Sequence, residues 1–236
     1  MTSSNQRAVV LLSGGLDSTT AVAWGRRNGF ELFALTINYN QRHKNELNAA
    51  KRVAEFFQIE KHVFLDVDLS VFGGSSLTSA TMEVRRHVPL EEIGQTIPNT
   101  YVPARNTIFL SLALAYAETL DSPHIILGIN AADYSGYPDC RPEYLAAFKN
   151  LAQLATKAGV EGTTQIQIHA PLLMLGKKEI IELGQSLGAD FSLTHTCYSP
   201  TADGKSCGVC ESCLLRLNGF KEAGLVDPIE YARSRL

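Results

Sequence analysis

The chain has 236 residues, of which 45% are hydrophobic and 19% are charged, and 21 Lys and Arg against 24 Asp and Glu leave a formal net charge of −3. This composition is typical of a globular protein of one or two domains, and it argues against a protein that mainly grips a nucleic-acid backbone, which needs a basic surface. No apolar run approaches the ~20 residues that a membrane span requires, and the polar start of the chain lacks the apolar core of a secretory signal, so a cytoplasmic protein is expected.

Short apolar runs alternate with helical patterns along most of the chain. Such runs are typical of buried parallel strands, and their alternation with helices predicts an α/β fold with helices on both faces of a parallel sheet. The predicted strands cover residues 8–12, 31–38, 62–65, 124–128 and 165–169.

Apolar residues at helical spacing predict the helices, and Gly29 follows the first of them where a left-handed C-terminal cap belongs. Residues 68–100 show no regular pattern, and a loop of that length is more often a binding segment than a plain connector. We expect an α/β domain over residues 1–190 and a helical, metal-binding segment over residues 191–236. The predicted helices cover residues 18–28, 46–57, 105–120, 143–158 and 177–187.

The loop after the first predicted strand is a candidate phosphate site and reads Ser-Gly-Gly-Leu-Asp-Ser over residues 13–18. Adjacent glycines let the backbone approach a ligand closely, and the following helix adds free N–H groups and a positive dipole end. The loop lacks the lysine of a Walker loop and the third glycine of the dinucleotide fingerprint. The structural alternative is a tight turn in which Asp17 or Ser18 caps the helix, but the strand–loop–helix context favours phosphate binding.

Four of the five cysteines lie within 17 residues, and their clustering predicts a metal site. Four thiolates suit a closed tetrahedral zinc site, which would be structural because no ligand position stays open. An iron–sulfur cluster is the alternative, although the bacterial pattern continues with a fourth Cys-Pro that is missing here. Cys140, the fifth cysteine, has no predicted role. The candidate metal ligands are Cys197, Cys207, Cys210 and Cys213.

Three polar segments, residues 38–43, 101–106 and 133–141, follow predicted strands or begin a predicted helix. Ligands of α/β proteins bind at such positions, and the arginine fork suits a carboxylate while an Asp can accept from the amino edge of a guanine-like base. Each segment also has a structural alternative: a solvated turn, a surface ion pair or a plain loop. The three segments are therefore candidate substrate-binding regions.

Together these motifs carry a family resemblance. The 13–18 loop resembles the pyrophosphatase loop of the ATP pyrophosphatase (PP-loop) superfamily, and residues 171–180 resemble the second phosphate element of such families. Nearly the whole chain resembles the 7-cyano-7-deazaguanine synthase family of queuosine biosynthesis. The motifs that carry this resemblance are the 13–18 loop, the Gln-Arg-His run at 41–43, the Val-Pro-Ala-Arg-Asn run at 102–106, the Gly-Tyr-Pro-Asp-Cys-Arg run at 136–141 and the cysteine spacing. Residues 68–98 carry none of these motifs.

The resemblance implies a three-layer Rossmann-like nucleotide-binding domain of the adenine nucleotide alpha hydrolase-like type, followed by a C-terminal zinc-binding segment. It implies catalytic roles for Lys177, Asp17 and Arg105, with Lys177 holding the leaving pyrophosphate. The implied ATP-binding residues are Leu12, Ser13, Gly14, Gly15, Leu16, Asp17, Ser18, Thr19 and Lys177. The implied substrate-binding residues are Gln41, Arg42, His43, Arg105, Asn106, Asp133, Tyr137, Asp139 and Arg141.

The activity implied is that of an ATP-dependent ligase, in which 7-carboxy-7-deazaguanine and ammonia become the nitrile through an adenylated intermediate. Mg²⁺ would bridge the ATP phosphates, one zinc ion per chain would be structural, and a homodimer without nucleic-acid or membrane partners is implied. Because no residues remain for a glutamine-hydrolysing domain, ammonium is the expected nitrogen source. The alternatives are a tRNA-modifying PP-loop enzyme, either a thiolase or a lysidine-type ligase, and a protein without enzymatic activity that senses a nucleotide or is a zinc-stabilised interaction protein.

Overall fold

A single parallel sheet organises the described part of the chain, which comprises residues 6–131 and 136–232 of this computed structural model. Numbered along the chain, the strands lie in the spatial order β3-β2-β1-β4-β5. Val9 in the central strand pairs with Phe33 on one side and with Ile125 on the other. The strands are β1 (Arg7–Leu11), β2 (Glu31–Asn38), β3 (Lys61–Asp66), β4 (His124–Ile126) and β5 (Gln167–His169).

Helices fill the connections, and the predicted alternation of strands and helices is confirmed. The long segment between β3 and the third helix is irregular, as expected, apart from single 3₁₀ turns at Ser70–Phe72 and Leu90–Glu92. The α-helices in the described ranges are α1 (Leu16–Arg27), α2 (Asn45–Phe56), α3 (Arg105–Thr119), α4 (Pro142–Ala155), α5 (Lys157–Val160), α6 (Lys177–Ser186) and α7 (Glu211–Glu222).

The prediction of one continuous helix over residues 143–158 was wrong. Thr156 adopts an extended conformation, with φ −110° and ψ 152°, and separates α4 from α5. Its hydroxyl accepts a hydrogen bond from the backbone N–H of Gly159 and caps the short second helix. Threonine competes with the helical backbone in this way because its side chain can satisfy a nearby backbone donor.

Both faces of the sheet are covered, which makes the fold a three-layer α/β sandwich. Val9 belongs to an apolar cluster with Leu110 of α3 and Phe148 of α4, whereas Val10 belongs to a second cluster with Val22 of α1 and Val53 of α2. Successive strand residues point to opposite faces, so an uninterrupted apolar run such as β1 serves both layers.

The C-terminal segment packs on the edge of this sandwich. Phe220 of α7 shares an apolar cluster with Leu16 of α1 and Ile180 of α6. Arg216 is buried and forms hydrogen bonds of 2.7 and 2.9 Å with the Asp227 carboxylate, which ties the chain beyond α7 to that helix. The division into a domain ending at residue 190 and a separate segment stays a prediction.

The strand order places a ligand crevice at the carboxyl ends of the central strands. The chain runs outward from β1 through β2 to β3, and then returns to place β4 on the other side of β1. At such a switch point the loops beyond the carboxyl ends of the two central strands diverge and leave a crevice where α/β proteins bind ligands. In the described ranges, no helix is both long and apolar enough to span a membrane.

Candidate active site

The 13–18 loop joins β1 to α1 at this switch point. Gly14 has a φ of +83°, in the left-handed region that favours glycine. A Cβ atom at Gly14 would lie 2.4 Å from the backbone nitrogen of Ala50 and 2.4 Å from the carbonyl oxygen of Glu46. The turn therefore needs glycine for two reasons: its backbone conformation and its close contact with α2.

The start of α1 offers backbone donors to a ligand. Gly15 is the N-cap residue and no side chain caps the helix, so the alternative in which Asp17 or Ser18 is the cap is wrong. The Ser18 and Thr19 hydroxyls instead donate to the Gly15 carbonyl oxygen at 3.0 and 2.8 Å, and the Ser13 hydroxyl donates to Ser18 at 3.1 Å. An uncapped helix N-terminus with adjacent hydroxyls is suited to binding an anion such as phosphate.

Asp17 and Lys177 form an ion pair beside the loop. The Lys177 ammonium lies 2.7 and 2.9 Å from the two carboxylate oxygens of Asp17, and the lysine side chain is only 8% exposed. Asp17 borders the main cavity of the site, whereas Lys177 lies behind it. The role of Lys177 in binding pyrophosphate stays a prediction. The structure shows that the Lys177 ammonium is paired with the Asp17 carboxylate.

The main cavity lies between the carboxyl ends of β1 and β4 and has a volume of about 210 Å³. Its floor is formed by the ends of β1, β2 and β4, and its walls come from the 13–18 loop, the start of α3 and the segment before the cysteine cluster. The polar residues that line it are Ser13, Asp17, Ser18, Thr36, Gln41, Glu46, Arg105, Asn106, Asn130, His195, Thr196 and Ser212, with the hydroxyl-bearing Tyr39, Tyr137 and Tyr198.

Arg105 supplies a positive charge to one wall of the cavity. The residue before it, Ala104, has a φ of +54°, a conformation that costs a non-glycine residue about 1–2 kcal/mol. The guanidinium carbon lies 5.6 Å from the centre of the Tyr39 ring. Burial alone would lower the pKa of Arg105, but the hydroxyls of Tyr39 and Tyr137, with others nearby, raise it above its usual value. Arg105 is therefore a fixed cation, as expected for a carboxylate-binding residue.

Two acidic groups in this wall, Glu46 and Tyr39, have raised pKa values. Burial raises the pKa of Glu46 to about 7, although the nearby Arg105 charge opposes the shift. Burial also raises the pKa of the Tyr39 hydroxyl to about 12. Glu46 was not among the residues predicted from the sequence, where it appears only as one of several acidic residues at the start of a helix. A carboxyl that titrates near neutral pH is suited to proton transfer.

Asn106, Asp139 and Cys140 form a buried cluster around the start of α3. The Asp139 carboxylate accepts a hydrogen bond of 3.0 Å from the backbone N–H of Asn106, so it acts as a cap and does not line the cavity. The Asn106 amide donates to the Cys140 sulfur at 3.3 Å. Burial, with the Asp139 charge, raises the pKa of Cys140 to about 12. A thiol in this state is a poor nucleophile at neutral pH.

The remaining predicted substrate residues lie in three different places. Gln41 and Tyr137 line the main cavity, whereas Arg42 and His43 line a smaller cavity next to it. Arg141 is exposed as the N-cap residue of α4 and lines neither cavity. Asp133 lies outside the described residues.

His195 and Thr196 line the cavity next to Gly15, and the sequence analysis missed both of them. The backbone N–H of His195 donates to the Gly14 carbonyl oxygen at 2.9 Å, which fixes the segment on the loop. Within the described residues, the His195 Nε2 and Thr196 Oγ1 atoms are buried and have no hydrogen-bond partner. Burial lowers the pKa of His195 to about 4, so the ring is neutral at pH 7. Unsatisfied buried polar atoms are costly, which suggests that a ligand pairs with them.

The four clustered cysteines meet at one point, as predicted. One sulfur atom from each lies within 4.8 Å of the others. Backbone N–H groups of Cys207 and Cys210 donate to the sulfurs of Cys197 and Cys207 at 3.2 and 3.3 Å, and Gly208 has the φ of +76° that the turn requires. Hydrogen bonds from the other cysteines lower the pKa of Cys207. Thiolates at this separation can bind a metal ion.

The metal site is joined to the cavity through the start of α7. The Ser212 hydroxyl, next to Cys213 in sequence, donates a hydrogen bond of 2.7 Å to the Thr196 carbonyl oxygen. Because Thr196 lines the cavity beside the 13–18 loop, the cysteine cluster supports one wall of the candidate active site. The two sites lie next to each other, although they are built from different chemistry.

The strand order and the glycine loop at its switch point define a three-layer α/β protein with a ligand-binding crevice beyond the carboxyl ends of its central strands. The family model described as "Queuosine biosynthesis protein QueC" matches residues 7–224, and the chain belongs to this family.

Two relatives are similar over nearly their whole length. The 7-cyano-7-deazaguanine synthase of Desulfatibacillum aliphaticivorans is 57% identical over 226 residues, which cover 96% of this chain and 97% of the relative. That of Solidesulfovibrio magneticus is 55% identical over 233 residues, 99% of each chain. Among solved structures, NMN synthetase from Francisella tularensis is 17% identical to this chain, with a TM-score of 0.47. The matched residues cover 99% of this chain and 91% of the synthetase.

Proposed function

We propose that the chain is an ATP-dependent carbon–nitrogen ligase that converts 7-carboxy-7-deazaguanine and ammonium to 7-cyano-7-deazaguanine in queuosine biosynthesis. The observation that carries the proposal is the near-full-length identity with relatives of that name, 57% and 55%, in a chain that belongs to the queuosine biosynthesis family. The family and these names do not favour the tRNA-modifying alternative.

ATP binds with its phosphates on the 13–18 loop, where the uncapped N-terminus of α1 offers backbone N–H donors. The Ser13 and Ser18 hydroxyls, which donate within the loop in the free chain, would turn to the phosphates. The unsatisfied His195 and Thr196 side-chain atoms beside Gly15 supply further hydrogen bonds to the nucleotide. Lys177 places positive charge behind the loop, where the leaving pyrophosphate gains negative charge, and Asp17 orients it. Asp17 also supplies the oxygen ligand type that Mg²⁺ prefers, and Mg²⁺ held on the phosphates would neutralise their charge.

The carboxylate substrate binds against Arg105, the fixed cation of the opposite wall. Its carboxylate oxygen attacks the α-phosphorus of ATP, and the bond to pyrophosphate breaks with the electron pair on the leaving group. Gln41, Asn106 and Tyr137 line the same cavity and orient the base. Catalysis is then mainly positioning and charge stabilisation, and no covalent enzyme intermediate is required.

Ammonia displaces AMP from the acyl-adenylate, forming an amide with loss of one proton. The amide oxygen then attacks the α-phosphorus of a second ATP and pyrophosphate leaves, and loss of AMP and two protons gives the nitrile. Free ammonium is the proposed nitrogen source, since the one cysteine outside the cluster has a pKa of about 12 and is not activated for glutamine hydrolysis.

The cysteine cluster holds one structural zinc ion per chain. A tetrahedral zinc site with bonds of about 2.3 Å places its sulfurs ~3.8 Å apart, and the four sulfurs here lie within 4.8 Å of one another. This spacing favours a single ion over an iron–sulfur cluster, which separates its ligands further. The zinc ion would stabilise the start of α7. Because four thiolates fill its coordination positions, it would not bind substrate. A cytoplasmic homodimer that binds no nucleic acid completes the proposal.

The test is incubation of metal-replete protein with 7-carboxy-7-deazaguanine, ATP and Mg²⁺, with either ammonium or glutamine as the nitrogen donor. Mass spectrometry should detect the nitrile and AMP with ammonium, and no nitrile with glutamine. Absence of nitrile with ammonium would contradict the assignment, and nitrile from glutamine alone would contradict the proposed nitrogen source. Elution volume and metal analysis of the same preparation test the dimer and the zinc ion.

A further inference from the structure

A second, smaller cavity opens beside the main one and has a volume of about 20 Å³. Four of its eight lining residues, Tyr39, Gln41, Glu46 and Tyr198, also line the main cavity, so the two spaces share a wall. Cys197, one of the four candidate metal ligands, also borders it, so this cavity adjoins the metal site. The other lining residues are Arg42, His43 and Leu77.

The size of this cavity restricts what it can hold. A cavity needs about 10–15 Å³ of such space to hold one water molecule, so a space of about 20 Å³ accepts one small molecule of that size. Ammonia and ammonium have a single heavy atom and fit this limit. ATP and a deazaguanine are better matched by the larger cavity, which has a volume of about 210 Å³.

The shared wall is rich in hydrogen-bond acceptors, which an ammonium ion needs because it has donors only. Glu46 contributes a carboxylate, and the hydroxyl oxygens of Tyr39 and Tyr198 can also accept. The Gln41 side-chain oxygen accepts a hydrogen bond of 3.0 Å from the backbone N–H of Tyr39, which holds this side chain in the wall.

Glu46 is the one carboxylate among the residues that line this cavity, and Arg42 is the one guanidinium. Burial raises the Glu46 pKa to about 7 and the Arg105 charge lowers it, so the carboxylate is substantially present at neutral pH and can still take up a proton. Burial and the neighbouring Arg42 lower the pKa of His43, which favours the neutral ring. The Arg42 guanidinium is bound to the Met82 carbonyl oxygen at 2.9 Å.

We propose that the smaller cavity is an ammonium-binding site, in which the Glu46 carboxylate holds the ion and accepts a proton from it next to the main cavity. This inference rests on the proposed function, because ammonium is the nitrogen donor of that reaction. Neither the sequence motifs nor the family resemblance assigned a role to Glu46.

The proton and electron balance of the step is simple. Ammonium transfers one proton to the Glu46 carboxylate and becomes ammonia, whose nitrogen then has a free electron pair. That pair forms the C–N bond with the acyl carbon of the adenylate, and the C–O bond breaks with its electrons on AMP. The nitrogen loses one further proton to solvent and leaves the amide, and Glu46 returns its proton to solvent before the next turnover.

The test compares Glu46→Gln with Glu55→Gln, which removes an exposed carboxylate from the same helix. Two reactions are measured: nitrile formation against ammonium concentration, and ATP–pyrophosphate exchange with the carboxylate substrate in the absence of ammonium. Glu46→Gln should raise the KM for ammonium about 10- to 100-fold, the effect of one lost charge-assisted hydrogen bond. Its exchange rate should change by a smaller factor than its ammonium KM, and both rates of Glu55→Gln should stay within about twofold of the unmodified chain.

Other outcomes are equally decisive. An unchanged ammonium KM in Glu46→Gln would overturn the proposal, as would a loss of exchange activity, which would place Glu46 in the adenylation step. Methylamine provides a measurement without any variant, because its methyl group replaces one hydrogen-bond donor of the ion and adds volume in a cavity of about 20 Å³: formation of the N-methyl amide as readily as the amide would overturn the site. An unmodified chain that forms neither nitrile nor exchanged ATP would instead refute the proposed function itself.

Discussion

Lys177 and Asp17 are 160 positions apart in the sequence, yet their side chains form the ion pair that backs the 13–18 loop. Lys177 begins α6, where a positive charge opposes the helix dipole, and that placement suggested an anionic partner. The partner in the structure is a carboxylate of the chain itself. A residue next to a phosphate loop can thus be needed for the shape of the loop as well as for its charge.

Replacement of Lys177 by Met should destabilise the protein by about 3 kcal/mol, because it leaves the Asp17 carboxylate without its buried partner. The matched control is Lys178→Met, which breaks only an exposed pair with Glu182 at 3.9 Å and should cost less than about 0.5 kcal/mol. Urea unfolding of both variants measures the difference. Equal free energies of unfolding would show that the buried pair contributes little to stability.

At the scale of elements, the β1–α1 loop and the start of α3 both use backbone conformations that repeating structure avoids. Gly14 has a φ of +83° against α2, and Ala104 has a φ of +54° just before Arg105. Glycine adopts this conformation without strain, whereas a strained residue such as Ala104 persists where the surrounding packing holds it and often lies at a functional site. Both are next in sequence to residues that line the main cavity, namely Ser13 and Gly15 for Gly14 and Arg105 for Ala104.

Two glycine variants separate backbone strain from close packing. Gly29 has a φ of +78° and no atom within 4 Å of an added Cβ, whereas the Cβ at Gly14 would overlap the backbone of α2. Gly29→Ala should therefore cost about 1 kcal/mol, and Gly14→Ala a further ~1–3 kcal/mol from overpacking. Denaturation curves measure both costs, and ATP–pyrophosphate exchange should fall only in Gly14→Ala. A similar loss of exchange in Gly29→Ala would argue against the loop as the phosphate site.

At the scale of the whole molecule, the cysteine cluster joins parts of the chain that the sheet does not reach. The backbone of Arg86, in the long irregular segment, pairs with Cys210, and Ser206 pairs with Tyr231 near the C-terminus. Through Ser212 and Thr196 the same cluster reaches the cavity wall. A metal ion at this point would stabilise three distant segments together.

Removal of the metal with a strong chelator should lower the Tm by more than about 5 °C, since each kcal/mol shifts the Tm of a domain of this size by about 2–4 °C. ATP–pyrophosphate exchange should fall as well, because the His195–Thr196 wall loses its support. Cys207→Ser should show the low Tm without chelator, and Cys140→Ser should respond to chelator as the unmodified chain does. Retention of the original Tm after complete metal loss would contradict the structural role.

Much of the fold follows from local pattern. Apolar runs marked all five strands, and helical spacing marked α1, α2, α3 and α6 to within two residues, because periodicity reports which side chains are buried. The glycine loop and the cysteine cluster were also recognisable, since each depends on residues close together in sequence. The break at Thr156 was missed because the apolar periodicity continues through it, while the Thr156 hydroxyl caps a new helix at that point.

The cavity itself required the tertiary structure. The sequence alone determined the α/β class, the 13–18 loop and the four candidate metal ligands, because each is set by neighbouring residues. Only the folded chain showed that Lys177 pairs with Asp17, that His195 and Thr196 lie unsatisfied beside Gly15, and that Glu46 and Arg105 share a wall. These relations join distant parts of the chain, and burial and proximity, which set pKa values and hydrogen-bond needs, exist only after the sheet has placed those parts together.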